Sequence, residues 1–145
     1  MRRTVTALTA IAITTAGFTT RTSIPDYRPP VGALNPVVTQ ATIKQTICVS
    51  GWTATIRPTS AYTTKLKAKQ MKARHLPGRP ADYEEDHFIP LELGGAPTNP
   101  ANLWPQPWPA ARTKDHLETS LKSMVCAGTT TLAAARRAVT VPPIP

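Results

Sequence analysis

Apolar and polar residues alternate, or recur at helical spacing, along the first half of the chain. Alternation over residues 43–49 and again over residues 51–56 predicts two short strands. Residues 61–74 have their apolar side chains on one side of a helix, and Ser60 just before them is a residue type that caps helix N-termini. A loop with prolines and a glycine follows over residues 75–81.

The second half of the chain predicts two strands and two helices. Residues 82–88 favour a strand and residues 102–104 a brief second strand, each ended by a proline. After Pro109 the spacing turns helical up to a stop at Gly128, and residues 130–139 predict a short final helix. The apolar stripe expected on the long helix consists of Leu117, Leu121, Met124 and Val125.

Short elements of both kinds in a chain of 145 residues predict a single small α+β domain. The 16 prolines agree with long irregular segments between the elements. Residues 23–40 favour an irregular, proline-rich tether, residues 41–140 form the expected domain, and residues 141–145 are expected to be a loose tail.

The N-terminus has the pattern of a secretory signal peptide over residues 1–22. Arg2 and Arg3 form a short positive region, and the uncharged stretch over residues 4–18 is partly apolar and too short to span a bilayer. Cleavage is expected between about residue 16 and residue 22. We therefore expect a monomer that is secreted, or lies in the periplasm or outside the cell, without a membrane span.

Cys48 and Cys126 are the only cysteines of the chain. In an exported protein, a single pair of cysteines usually forms one disulfide. Two buried free thiols are the alternative, which the export signal disfavours. Neither cysteine has another Cys or a His at metal-ligand spacing, so a metal role is disfavoured as well.

The charge of the chain is positive and unevenly distributed. Lys and Arg number 17 against 8 Asp and Glu, a formal net charge of +9. Residues 27–81 contain no acidic residue, and acids then cluster within residues 82–92. A basic surface beside an acidic pocket suits a polyanionic substrate with a cation at the reaction centre. On charge alone, a basic face that aids solubility or adheres to the cell envelope is the simpler interpretation.

The candidate chemistry lies in residues 83–118. Asp86 and His87 stand side by side at the end of the expected strand, where neighbouring side chains point to opposite faces. A neutral imidazole can accept a proton from water, and a divalent cation held by a carboxylate can neutralise a phosphate. Such a pair by itself is more often structural, but the glycines and the asparagine that follow favour a catalytic site.

The order of these residues resembles the D-H-x-x-P…G-G…N-L motif of the HNH, or His-Me finger, endonucleases. The matching residues are Asp86, His87, Pro90, Gly94, Gly95, Asn102 and Leu103. The resemblance covers about a quarter of the chain and implies a ββα metal centre. In that centre Asp86 binds the metal, His87 is the general base, and Asn102 braces the loop and the base by hydrogen bonds. The chain also resembles a group of small exported bacterial proteins, which agrees with export and with a disulfide.

The last position of the family motif departs from the pattern. It falls near residues 110–113, where no side chain ligates a metal well, so Asp115 and His116 are the candidate substitutes. The cofactor implied by the resemblance is a divalent ion, Mg²⁺ before Mn²⁺, Ni²⁺ or Zn²⁺. Basic side chains expected to grip phosphates without reading sequence are Lys65, Lys69, Lys72, Arg74, Arg112 and Lys114.

The resulting hypothesis is a secreted metal-dependent nuclease that hydrolyses phosphodiester bonds of DNA or RNA with low sequence specificity. The missing last ligand favours an alternative, a non-catalytic exported module that keeps the same scaffold and binds polyanions or the cell envelope. A secreted structural protein without a metal is the third interpretation.

Overall fold

The structure is a computed structural model that describes residues 23–140. The expected signal peptide over residues 1–22 and the expected tail over residues 141–145 lie outside the described residues. The described part is a small single domain with four α-helices, a two-stranded sheet and one disulfide, so the expectation of an α+β domain is confirmed. Within this part of the chain, none of the helices is long and apolar enough to cross a membrane.

The sheet and the helix that follows it carry the candidate site. The helices are α1 (Trp52–Ile56), α2 (Ser60–Ala73), α3 (Trp108–Ala127) and α4 (Leu132–Thr140). The strands are β1 (Tyr83–His87) and β2 (Leu103–Pro107). One-turn 3-10 helices lie at Ile43–Gln45, Pro80–Asp82, Leu91–Leu93 and Pro100–Asn102. The two strands are antiparallel, with Asp86 opposite Trp104 and His87 opposite Leu103.

The two strands expected in the first half of the chain are wrong, because this stretch consists of short helices joined by turns. Ile43–Gln45 is a 3-10 turn and residues 52–56 form α1. Ile43 and Ile47 are both buried and both belong to the apolar core, one in the 3-10 helix and one in the turn that follows it. The backbone also bonds locally, since the Cys48 N–H donates to Ile43 O at 2.9 Å. The alternation of residue types in this segment therefore does not mark a strand.

The remaining expected elements are present with shifted ends. α2 begins at Ser60, and its cap is Thr59, whose Oγ1 accepts from the Tyr62 N–H at 3.3 Å. β2 runs through Pro105 to Pro107 instead of ending at the first proline. A two-stranded sheet leaves each strand one free edge, where the missing N–H of a proline is tolerated.

The inward face of α3 is part charged and part apolar. Its side chains recur three and four residues apart at Ala111, Lys114, Glu118, Leu121 and Val125. Leu117 and Met124, which were expected on the apolar stripe, are each 42% exposed, so that part of the expectation is wrong. The helix turns this face inward because its two charged side chains have ionic contacts inside the fold.

The apolar core lies between α3, α4 and the N-terminal segment, away from the sheet. Its members are Val38, Ile43, Ile47, Leu93, Leu121, Val125, Leu132, Ala135 and Val139. The expected disulfide is confirmed, because Cys48 and Cys126 are bonded with their Cα atoms 5.6 Å apart. Cys48 packs against the core, so the bond joins the end of α3 to the first turns of the domain.

Residues 23–40 have no helix and no ladder strand, but part of this segment is fastened to the domain. The Gly32 N–H donates to Ala101 O at 2.9 Å, and the Ala96 N–H donates to Ala33 O at 2.8 Å. Val38 belongs to the apolar core. Residues 32–38 are therefore irregular but fastened to the domain, where they contact the loop between the two strands.

Candidate active site

β1 presents its alternate side chains to two different helices. The Asp86 carboxylate meets Lys114 of α3. Glu85 lines a cavity that also includes Lys67 of α2. His87, at the end of the strand, lines cavities on both sides. The period of two in an extended strand thus brings two kinds of chemistry to one short element.

His87 is held as a neutral base. The residue is 6% exposed, and its Nε2 lies 2.9 Å from the backbone oxygen of Pro97. Because a carbonyl oxygen can only accept, Nε2 donates this bond and Nδ1 carries the free lone pair. Burial lowers the pKa of the imidazole to about 4, and the charges of Arg57 and Lys114 act in the same direction. At neutral pH, Nδ1 is therefore unprotonated and able to accept a proton.

Asn102 joins the two sides of the loop that follows β1. Its buried side chain accepts from the Ile89 N–H at 2.9 Å and donates to Ile89 O at 3.0 Å and to Ala96 O at 3.1 Å. Gly95 permits this close approach, since a Cβ there would lie 1.7 Å from Ile89 O and 2.7 Å from Asn102 Nδ2. The asparagine and the glycine of the motif together hold the loop that carries Pro97.

An ion-paired cluster lies beneath α3. Lys114 Nζ is 2.9 Å from Asp86 Oδ2, contacts Glu118 Oε1 and donates to the backbone oxygen of His87 at 2.8 Å. Burial opposes the charge on Lys114, but the two carboxylates outweigh it and raise the pKa of the ammonium. Burial also raises the pKa of Glu118 to about 7. The cluster therefore keeps a lysine charged in a nearly closed space.

A polar cavity of about 230 Å³ opens beside this cluster. It is lined by Arg57, Glu84, Asp86, His87, Pro90, Leu91, Glu92, Asp115 and Glu118. A second cavity of about 340 Å³, between α2 and β1, shares Arg57, Glu84 and His87 with the first. We call the two cavities together the cleft. Acids dominate its α3 side, Arg57 and Lys67 lie on its α2 side, and His87 stands at the junction.

The two substitute ligands expected on α3, Asp115 and His116, lie in different surroundings. Asp115 lines the same cavity as Asp86. His116 is exposed and is not among the residues that line this cavity. The structure thus brings one of the two candidates to Asp86.

The divalent ion implied by the resemblance does not fit the side chains as they are arranged. Carboxylate oxygens suit a hard divalent cation, and Asp86, Asp115 and Glu118 supply them. Lys114, however, places its ammonium on two of these carboxylates. Among residues 23–140, no three side chains of Asp, Glu, His or Cys converge in an arrangement that could hold a metal ion. The cationic partner of Asp86 is a lysine of the chain itself.

The basic residues expected to grip phosphates occupy three kinds of environment. The exposed ones are Lys65, Lys69, Lys72 and Arg112, the last with its guanidinium carbon 5.7 Å from the Trp108 ring centroid. Arg74 is half-buried and donates to the backbone oxygen of Arg28 at 2.5 Å. Lys114 departs from the expectation, because its ammonium is enclosed by oxygens instead of facing solvent.

Arg57 and Glu118 are cleft residues that the sequence reasoning missed. Glu118 carried a usable signal, since it lies one helical turn after Lys114, and an acid and a base at this spacing share a face. Arg57 carried none, because the fold brings it from the link between α1 and α2 to a strand nearly thirty residues away in the chain. Local patterns indicate helix faces but not such long-range neighbours.

Comparisons with known proteins leave the site to be interpreted from its own residues. No protein-family model, no curated protein and no solved structure matches the chain.

Proposed function

We propose that the chain is an exported nuclease in which β1, the glycine loop, β2 and α3 act as an HNH-type centre that hydrolyses phosphodiester bonds of DNA or RNA. The observation that carries the proposal is the hydrogen bond from His87 Nε2 to Pro97 O. This bond orients the ring and leaves Nδ1 free to act as a base, in a residue that lines both cavities of the cleft. A base in this position is what the attack of water on a phosphate requires.

The proposed reaction needs only groups that line the cleft and a water molecule. His87 Nδ1 accepts one proton from the water while its oxygen bonds to phosphorus. The bond from phosphorus to the leaving oxygen breaks, and that oxygen takes a proton from solvent. Arg57, which lines the cleft beside His87, can donate to two phosphate oxygens at once.

We assign further phosphate contacts to exposed lysines of α2, which lie on the side of the helix away from the cleft-lining Thr63, Thr64 and Lys67. Lys65, Lys69 and Lys72 are exposed and carry the same charge. Contacts of lysines with phosphates bind without reading sequence, and they weaken as salt rises. We therefore propose a nuclease of low sequence specificity whose binding depends strongly on ionic strength.

A divalent ion, Mg²⁺ first, remains part of the family prediction. If bound, it would neutralise the phosphate and stabilise the leaving oxygen. Because Lys114 is paired with Asp86 and Glu118, no step above depends on such an ion. The requirement for added metal therefore stays a prediction to be measured.

The test compares the purified protein with His87→Ala on plasmid DNA, single-stranded DNA and RNA. Each is incubated with Mg²⁺, Mn²⁺, Ni²⁺, Zn²⁺ or EDTA. We expect His87→Ala to lose about 100-fold or more of the cutting rate, the usual contribution of a positioned base. His75→Asn is the matched control, since His75 lies in an exposed turn with φ 54, a backbone conformation that asparagine tolerates. Equal cutting by wild type and His87→Ala rejects the proposal.

The ion-paired centre favours one second candidate, a non-catalytic module that binds polyanions or the cell envelope. In that case Lys114, Asp86 and Glu118 serve the fold alone. Salt-sensitive binding of DNA without cutting under any of the five conditions would support this candidate over the nuclease.

A further inference from the structure

Lys114 has the surroundings of a bound cation rather than those of a surface lysine. Its ammonium is met by Asp86 Oδ2 at 2.9 Å, by His87 O at 2.8 Å and by Glu118 Oε1. An ammonium has three N–H donors and no acceptor, so three oxygens match its full hydrogen-bonding capacity. The Lys114 side chain is only 11% exposed.

We infer that the Lys114 ammonium is the internal cation of this centre and occupies the position between Asp86 and Glu118 that a divalent ion would need. The wild-type centre then binds no divalent ion between these two carboxylates. Only the catalytic consequence, cutting that continues without added metal, rests on the proposed function. The competition between lysine and metal concerns the folded protein whether or not it cuts nucleic acid.

Buried residues on either side of Lys114 along α3 keep its side chain facing the interior. Lys114 and Glu118 are one turn apart on the inward face of α3, with buried Ala111 before them and buried Leu121 after them. A divalent ion would have to take both carboxylates from the ammonium and leave its charge buried against the uncharged His87 carbonyl oxygen, an arrangement that proteins strongly disfavour. Binding of a metal would therefore work against the packing of α3.

Lys114 also ties the helix to the base. Its bond to the His87 carbonyl oxygen fixes the end of β1 at a residue that lines the cleft. Asp86 and Glu118 line the polar cavity, whereas Lys114 is not among the residues that line it. Lys114 is thus a positioning residue that acts through these carboxylates and through the strand end.

The test measures Mn²⁺ binding by calorimetry and by the electron paramagnetic resonance of the free ion. We expect the wild type to bind no Mn²⁺ stoichiometrically below about 1 mM. Lys114→Met removes the ammonium and leaves the carboxylates facing one another, so it should bind one Mn²⁺ at least about tenfold tighter than the wild type. Adding Glu118→Gln to Lys114→Met should abolish the gain.

Lys122→Met is the matched control for this gain. Lys122 also lies on α3 and pairs with an acid, Glu92, at 3.2 Å, but its side chain is 26% exposed. If a gain of Mn²⁺ binding appears in Lys122→Met as strongly as in Lys114→Met, it reflects a loss of positive charge in general and overturns the inference.

A second measurement, on the wild type, shows whether a divalent ion displaces the Lys114 ammonium even if Lys114→Met does not fold. The side-chain ammonium nitrogens of ¹⁵N-labelled lysine are followed by NMR while Mg²⁺ is added. The protected Lys114 signal should stay unshifted. A one-to-one Mg²⁺ or Mn²⁺ site in the wild type that is lost in Asp86→Asn overturns the inference, even if the protein proves to be a nuclease. An unshifted signal in a protein that never cuts supports the inference and rejects the proposed function.

Discussion

The two halves of α3 lie in opposite environments. Towards its end, Leu121 and Val125 are buried in the apolar core, and Cys126 forms the disulfide. One and two turns earlier, Glu118 and Lys114 lie beneath the cleft in an ion-paired cluster. All but the cysteine belong to the same inward face of the helix. A single rigid element thus joins a region held by apolar burial to a region where buried charges balance one another.

The difference separates stability from reactivity. The core buries apolar area and closes it with a covalent bond, and both effects stabilise the fold without any ionisation. The cleft keeps groups whose pKa values burial has moved far from their usual range, to about 4 for His87 and to about 7 for Glu118. Such groups cost stability and supply proton transfer. We expect changes at the core end to alter stability alone, and changes in the cleft to alter proton equilibria.

The largest expected effect comes from the disulfide. The double substitution Cys48→Ser with Cys126→Ser opens a loop with a sequence separation of 78, and it should lower the free energy of unfolding by about 4 kcal/mol. Urea unfolding under oxidising conditions measures the loss. In the folded fraction of this variant, the pKa of His87 measured by NMR should stay near 4, because the cleft is built by other elements. If the pKa of His87 returns to the ordinary histidine range in this variant, the core and the cleft are not independent of one another.

A smaller loss is expected from Gly95→Ala at the loop of the cleft. A Cβ at this position meets Ile89 O at 1.7 Å and Asn102 Nδ2 at 2.7 Å, both in closely packed surroundings. Overpacking of this kind should lower the free energy of unfolding by about 3 kcal/mol and disturb the chemical shifts of His87.

Gly128→Ala is the control for backbone conformation. Gly128 ends α3 with φ +76, and an added Cβ there meets no heavy atom within 4 Å. Gly128→Ala should therefore lower the free energy of unfolding by about 1 kcal/mol, the cost of placing alanine in the left-handed conformation. If Gly95→Ala and Gly128→Ala lower the free energy of unfolding equally, the close contact of residue 95 with Ile89 does not contribute to the loss.

Much of the sheet and its motif was predictable from the sequence, because the signals there are local. β1 contains Asp86 and His87 as expected, and the disulfide pairs the only two cysteines of the sequence. The second strand is also present, but it begins at Leu103, and Asn102 ends the 3-10 turn before it. The first half of the domain was not predictable in this way. Ile43 and Ile47 sit four residues apart in a sequence that also alternates, and tertiary packing selects the helical turn.

The charged face of α3 shows the limit of such reasoning for the site. A lysine and a glutamate on a helix are usually a solvated pair, so the sequence pattern predicts that the apolar stripe through Leu117 and Met124 faces inward, whereas both residues are 42% exposed. Lys114 and Glu118 face inward only because Asp86 arrives from a strand far away in the chain. That partner is a long-range contact, which helical periodicity alone does not reveal.

The smallest expected effect is a pH dependence that belongs to the cleft. Burial raises the pKa of Glu85 to about 8 and that of Glu118 to about 7, whereas both titrate near 4.5 in the unfolded chain. Between pH 6.5 and 8 the folded protein therefore keeps protons that the unfolded chain has released. The free energy of unfolding must fall as the pH rises through this window. Below pH 6.5 the lowered pKa of His87 acts in the opposite direction, because the unfolded histidine takes up its proton first.

Glu85→Gln isolates the larger part of this slope. Without the Glu85 carboxyl, the fall in unfolding free energy from pH 6.5 to 8 should shrink by about 1 kcal/mol, once the pKa shift is discounted for solvent screening. Asp82→Asn is the control, since the Arg79 backbone N–H holds the pKa of Asp82 below its usual value and the group stays ionised throughout. This variant should keep the wild-type slope. A wild type whose stability is flat or rises from pH 6.5 to 8 would mean that the cleft holds its acids ionised, and that proton equilibria do not distinguish it from the core.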